Sequence, residues 1–259
     1  MRIITISDKH NKHAQIPIEY FRPCDLIIHA GDFTSVGHYH EVERFVNWFE
    51  TLPAKHKVVI PGNHELTFDH KSSEYSDSEY NRITELFERK KASGIHLLIN
   101  SSIRLFGESE FTGEIYDIKI FGTPNTPRFR DWAFNSDPGE IAAILECETD
   151  IDILISHGPP YAHLDTVEMN PFDRLGSKEL LQYLERGVSD TRKSPLLNVF
   201  GHIHTGRGVR YATIGIPTNM INTSVLNEQY RLQYPPYCLD ANFAERTIKL
   251  IDPYETIDL

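Results

Sequence analysis

The chain is poor in several features that would assign it to a class at once. Its three cysteines, Cys24, Cys147 and Cys238, are odd in number and far apart in 259 residues. That does not resemble a disulfide framework, and a reducing, intracellular compartment, the cytoplasm first, is the expectation. No run of about 18 apolar residues occurs, so no membrane span is expected. The start, Met1 to Ile6, lacks an apolar signal core and a small-residue cleavage site and reads as a first strand. Basic residues are the minority: 26 Lys and Arg stand against 37 Asp and Glu, a formal net charge of −11. This balance argues against a broad, sequence-independent nucleic-acid surface. It is compatible with a small anionic substrate, because bound divalent cations reverse the sign of the local field. Internal repeats, low-complexity tracts and Gly/Ser linkers are also missing, so residues 1–259 are expected to form a single domain. No heptad run or long exposed apolar helix speaks to oligomeric state.

Hydrophobic residues make up 40% of the chain and aromatics 11%, as in ordinary globular proteins. Apolar alternation and short buried runs predict strands at Arg2–Ser7, Leu26–Ala30, Lys57–Ile60, Ile95–Ile99, Ile103–Phe106, Ile118–Phe121, Ile151–Ile155, Leu196–Phe200, Thr218–Thr223, Tyr237–Asn242 and Arg246–Ile251. Helical spacing predicts helices over Glu41–Thr51, Ser76–Ser93, Pro138–Cys147 and Ser177–Arg186, with Gly107–Asp117 as a hairpin connection. The pattern is α/β.

Thirteen histidines are many, and several sit just past predicted strands. The sharpest stretch is Gly201-His202-Ile203-His204, where a glycine lets the chain leave a buried strand and two imidazoles can reach different metal ions. Asp8-Lys9-His10, Gly31-Asp32, Gly62-Asn63-His64-Glu65 and His157 occupy the same kind of position. Open sheets bind ligands beyond the carboxyl ends of their strands. Asp8, His10, Asp32, Asn63, His157, His202 and His204 then form one set of carboxylate, imidazole and amide donors, suited to two divalent transition ions. One carboxylate must lie between ions about 3.5–4 Å apart. His29 lies within an apolar run and is expected to be a core histidine held by a hydrogen bond. The loop from Thr123 to Asn135 mixes proline, arginine and aromatics. It reads equally as a wall of a substrate pocket or as a flap packing its own aromatics. Arg128 and Arg130 are its candidates for holding a substrate phosphate or stacking on a base. Trp132 and Phe134 either stack on substrate or pack the loop. His13, His38, His40, His56, His70, His96 and His163 are read as solvated or structural.

In this order the motifs resemble the calcineurin-like metallophosphoesterase superfamily: D-x-H, GD, GNH-D/E, an isolated H and GH-x-H, spanning residues 8 to 204 with no element missing. The resemblance implies a four-layer β-sandwich flanked by helices. It implies that Asp8, His10 and His204 bind one metal, that Asn63, His157 and His202 bind the other, and that Asp32 bridges them. It places His64 beside the substrate as a catalytic group rather than a ligand, and Asn222 as a hydrogen-bond partner of a ligand histidine. Within the superfamily the chain is similar to the metallophosphoesterase-domain-containing (MPPED) subgroup, related to class III cyclic nucleotide phosphodiesterases. The residues that carry this are the run 130–135, Ser156 to Pro160, Val199 to His204, Gly206 and Ile221 to Ser224. Some members of that subgroup have lost the first histidine of GH-x-H; this chain keeps His202, so a competent two-metal centre is expected. Gly31-Asp32-Phe33-Thr34-Ser35 lacks the Asp and Arg of protein serine/threonine phosphatases and the metal-binding Tyr of purple acid phosphatases. The implied activity is hydrolysis of a small phosphodiester, a cyclic nucleotide among the candidates, by hydroxide shared between two divalent ions. Manganese is the first choice, and iron and zinc are compatible. The alternatives are a phosphomonoesterase on a nucleotide-like metabolite and a nucleotide-binding regulatory protein with vestigial catalysis.

Overall fold

Runs of isoleucine, valine and leucine too short for helices form strands buried on both faces. The computed structural model describes residues 1–167, 170–186 and 194–252. Its strands are β1 (Arg2–Ile6), β2 (Cys24–Ala30), β3 (Ala54–Ile60), β4 (Ile95–Leu97), β5 (Ser101–Glu108), β6 (Ile115–Thr123), β7 (Thr126–Pro127), β8 (Asn135–Ser136), β9 (Ile153–Ser156), β10 (Thr166–Val167), β11 (Asn170–Arg174), β12 (Leu197–Phe200), β13 (Gly208–Arg210), β14 (Asn219–Asn222), β15 (Tyr237–Asn242) and β16 (Thr247–Ile251). The α-helices are α1 (Tyr39–Thr51), α2 (Asp77–Lys90), α3 (Pro138–Glu146) and α4 (Lys178–Arg186).

Two six-stranded mixed sheets result, in the orders β16-β15-β1-β2-β3-β4 and β13-β14-β12-β9-β6-β5. Strands β1 to β4 run parallel, as do β6, β9, β12 and β14. The period-2 alternation of each strand sorts its side chains into layers. Ile3, Leu26, Ile28, Val58 and Ile60 pack between the sheets against Ile118, Ile120, Ile153, Ile155, Val199 and Ile221. On the other face of the first sheet, Ile4, Ile6, Ile27 and Val59 meet Val42, Phe45, Val46 and Phe49 of α1 and Ile83, Leu86 and Phe87 of α2. On the outer face of the second sheet, Phe121, Leu154, Phe200 and Met220 meet α3 and α4 through Ile141, Leu145, Leu180 and Leu184. The layers are helix, sheet, sheet, helix, as the sequence led us to expect. Helix limits follow local chemistry: Ser76 Oγ accepts from the Glu79 amide at 3.3 Å to start α2, and Gly94, with φ +76, closes the 3₁₀ turn Lys91–Ser93 that follows it.

The differences from expectation have physical reasons. The hairpin connection is shorter than Gly107–Asp117 because cross-strand pairing continues out to Glu108 and Ile115. The antiparallel β10–β11 pair and β13 had no apolar alternation to announce them. His29 is fully buried but neither ring nitrogen has a hydrogen-bond partner among the described residues. The expected hydrogen bond is replaced by aromatic packing against Phe33, Phe45 and Phe49, and burial holds the imidazole well below its usual pKa, neutral.

Candidate metal centre

Strands β1, β2, β3, β9 and β12 point their carboxyl ends the same way, so the loops leaving them meet at one edge. The backbone there is strained. Asp8, His10, Asp32 and His202 all have positive φ, at 53°, 39°, 56° and 66°, a conformation that disfavours most side chains and clusters at functional sites. The turn after β12 is thus made at His202. Gly201 is needed instead for close approach: a Cβ there would lie 2.1 Å from Asp8 Oδ2. Gly62 is similar, with a virtual Cβ 2.3 Å from Asp32 Oδ1.

The structure brings Asp8, His10, Asp32, Asn63, His64, His157, His202 and His204 into one cluster. Ligand-capable atoms of Asp8, His10 and His204 lie within 4.8 Å of one another, as do those of Asp32, His157 and His202, and of His10, Asp32 and His64. Asp32 stands between the groups. Its Oδ1 is 3.4 Å from His157 Nε2 and its Oδ2 is 3.7 Å from His10 Nε2. Asp8 Oδ1 is 3.8 Å from His204 Nε2, while its Oδ2 accepts from Ser7 Oγ at 2.5 Å and Ser224 Oγ at 2.6 Å.

Backbone carbonyls orient the rings. His157 Nδ1 donates to Ala30 O at 2.9 Å and His204 Nδ1 donates to Asn227 O at 3.0 Å. In the neutral tautomer this turns the Nε2 lone pair of each into the cluster. Asn63 Oδ1 lies 2.9 Å from His157 Nε2 and 2.8 Å from His202 Nδ1. Both nitrogens of His10 are buried without a partner among the described residues. Acceptors that converge with so few donors between them are the arrangement a cation satisfies, and the residues present fit divalent metal ions.

The charges of the cluster are coupled. Burial opposes ionisation of Asp32, yet His157, His64 and His10 outweigh it and hold the carboxyl well below its usual range. Burial likewise opposes protonation of His157, but Asp32 and Asp8 push it up to about 9. Burial takes His10 down to about 3, and burial with the His157 charge takes His202 to about 3.

Glu65, the acid that follows Asn63 and His64, turns away from the cluster. Its carboxylate accepts from the amides of Asp32 (3.0 Å), Thr34 (2.8 Å) and Gly62 (2.5 Å) and from Thr34 Oγ1. It ties the loops after β2 and β3 together. Burial and the Asp32 charge push it up to about 8 against those donors. Lys9, also fully buried, donates from Nζ to Phe33 O at 2.8 Å under the rings of Phe45 and Trp48. Asn222 corrects its expectation: its Nδ2 donates to Ile203 O at 2.8 Å, so it holds the backbone between the two histidines of Gly201–His204 rather than an imidazole.

A cleft of about 450 Å³ opens over the cluster. His64 lines it, with Nδ1 2.9 Å from Ser35 O and its ring stacked on Trp132 at 4.2 Å. Arg128 and Arg130 line it too; Arg128 is paired with Asp137 at 2.8 Å, and the Arg130 guanidinium lies 5.2 Å from the Phe129 ring. The loop from Thr123 to Asn135 therefore has both expected characters: Trp132 faces the cleft, while Ala133 and Phe134 are buried in the core beneath α1 and α2. Arg174 and Tyr230 are among the lining residues that carried no motif. Arg174, from β11, is paired with Asp165 at 3.0 Å, and Tyr230 packs against His10 and His204.

An α/β sandwich whose strand ends gather aspartate and histidine in this way defines a metallophosphoesterase. Residues 1–206 match the calcineurin-like phosphoesterase family, and the chain belongs to it. It is similar to human metallophosphoesterase domain-containing protein 1, at 36% identity over 246 residues, covering 92% of this chain and 70% of that protein. It is also 34% identical over 208 residues to a protein named probable rhamnogalacturonate lyase C from Emericella nidulans, covering 80% of this chain but 17% of that one. Among solved structures, 5'-nucleotidase from Candida albicans is similar with a TM-score of 0.47 and 13% identity, over 95% of this chain and 52% of that chain.

Proposed function

We propose that this chain is a two-metal phosphodiesterase acting on a small phosphodiester, with cyclic nucleotides inside that class. The observation that carries the reading is the pair of acceptor clusters with one Asp32 oxygen turned to each. Asp8, His10 and His204 would hold one ion, Asn63, His157 and His202 the other, with Asp32 between. Manganese is the ion to load first, and iron and zinc suit the same mixed N/O donors. When bound, the ions lower the pKa of a water and offset charge on the phosphoryl oxygens.

The chain's own residues do the rest. His64, its Nδ1–H on the Ser35 carbonyl, presents Nε2 to the cleft. As imidazolium it donates a proton to the departing alkoxide. Trp132 fixes the plane of that ring. Diester over monoester follows from the walls beyond the ions. Two of the arginines lining the cleft are already held by carboxylates, whereas Phe129, Trp132 and Tyr230 also line it and suit the organic substituents of a diester.

The test is hydrolysis of bis(p-nitrophenyl) phosphate beside p-nitrophenyl phosphate by protein reconstituted with Mn²⁺. Faster diester cleavage, abolished by a chelator, is expected. Preference for the monoester would move the activity to a phosphomonoesterase.

A further inference from the structure

Tyr230 is held in the cleft by an unusual turn. Leu226 and Leu232 bridge antiparallel at its base. Between them Asn227 Oδ1 accepts from the amides of Gln229 at 3.1 Å and Arg231 at 2.9 Å, and Asn227 O accepts from Tyr230 N at 2.9 Å. The same carbonyl accepts from His204 Nδ1, so the turn that orients a histidine of the cluster also places Tyr230. The backbone of Tyr230 is left-handed, with φ 56°, a conformation that strains a bulky residue. That strain secures no core packing, since 45% of the residue is exposed. The ring lies 4.9 Å from that of His10 and 5.2 Å from that of His204, inclined at 62° and 70°. It therefore covers neither imidazole face-on, and part of its surface stays open to the cleft. Its hydroxyl has no hydrogen-bond partner among the described residues. Trp132, on the far side of His64, has one face already taken by that imidazole.

We propose that Tyr230 determines specificity by offering the aromatic surface on which a flat organic substituent of the phosphoester rests. The phosphoryl group would lie at the acceptor clusters, and a planar ring attached to it through one ester oxygen comes level with Tyr230. The inference rests on the reading of the clusters as a phosphoryl site and names which substituents that site prefers.

Isothermal titration of Mn²⁺-loaded protein with benzylphosphonate, whose methylene stands where the ester oxygen would, and methylphosphonate tests it without turnover. Wild type is expected to favour the benzyl compound about tenfold. Tyr230→Phe keeps that ratio, and Tyr230→Ala reduces it to within twofold. No preference in wild type, a ratio unchanged in Tyr230→Ala, or a ratio lost equally in Tyr230→Phe overturns the role of the ring. An equal weakening of both phosphonates in Tyr230→Ala is a structural effect and overturns it as well. Failure of wild type to bind either phosphonate overturns the phosphoryl-site reading itself, and this inference with it.

Discussion

At the scale of single residues, position in a motif and direction of the side chain proved to be separate matters. Asn63, His64 and Glu65 are consecutive, yet the first faces the clusters, the second faces the cleft and the third is buried under the loop amides. The proposed division of labour has a sharp test at His64. His64→Ala should lower kcat roughly 10²–10⁴-fold while metal content, measured by plasma mass spectrometry, stays at the wild-type value. Loss of metal would make His64 a ligand. The residues of the five strand-exit motifs were legible because glycine, aspartate and histidine sit together at strand ends. Tyr230 was not: it lies in a polar turn with no motif spacing, and only the fold brings it 4.9 Å from His10. Asn222 was legible as a support but not in its partner, because an amide can serve a carbonyl as readily as an imidazole. His29 shows the reverse case, a polar residue whose surroundings are aromatic faces rather than hydrogen bonds.

At the scale of elements, strands and helices with strong periodicity were readable to within a few residues, and Tyr237–Asn242 to the residue. What was hidden was pairing: nothing local tells β1 to lie between β2 and β15. Strand β3 also carries a pH response. His56 is half-buried, its Nε2 3.3 Å from the Tyr116 hydroxyl, and burial followed by Lys55 takes its pKa down to about 4. An unfolded histidine takes its proton near pH 6.5. The stability tied to a neutral His56 is therefore complete above about pH 6.5 and is lost as pH falls toward 4. His13 is lowered to about 4 by burial and Lys9 and acts in the same window. The melting temperature of metal-free protein should fall between pH 6.5 and 4, and His56→Gln should make that fall shallower. An unchanged slope would show that His56 titrates normally in the folded state.

At the scale of the whole molecule, the proposed activity asks a chain of net charge −11 to handle an anion. Its acceptors are collected where two sheets present their strand ends, so that cations bound there would set the local field. Among the described residues no helix is long and apolar enough to cross a membrane. We propose that residues 1–259 act as one domain, since β15 and β16, near the end of the chain, complete the sheet that β1 begins. The proposed function stands on one chain holding two ions with Asp32 between them. The direct measurement is metal stoichiometry after equilibrium dialysis against Mn²⁺, for wild type and Asp32→Asn. Two ions per wild-type chain, and fewer than one tightly held in the variant, is the predicted result. One ion or none in wild type, or two retained tightly by Asp32→Asn, would contradict it.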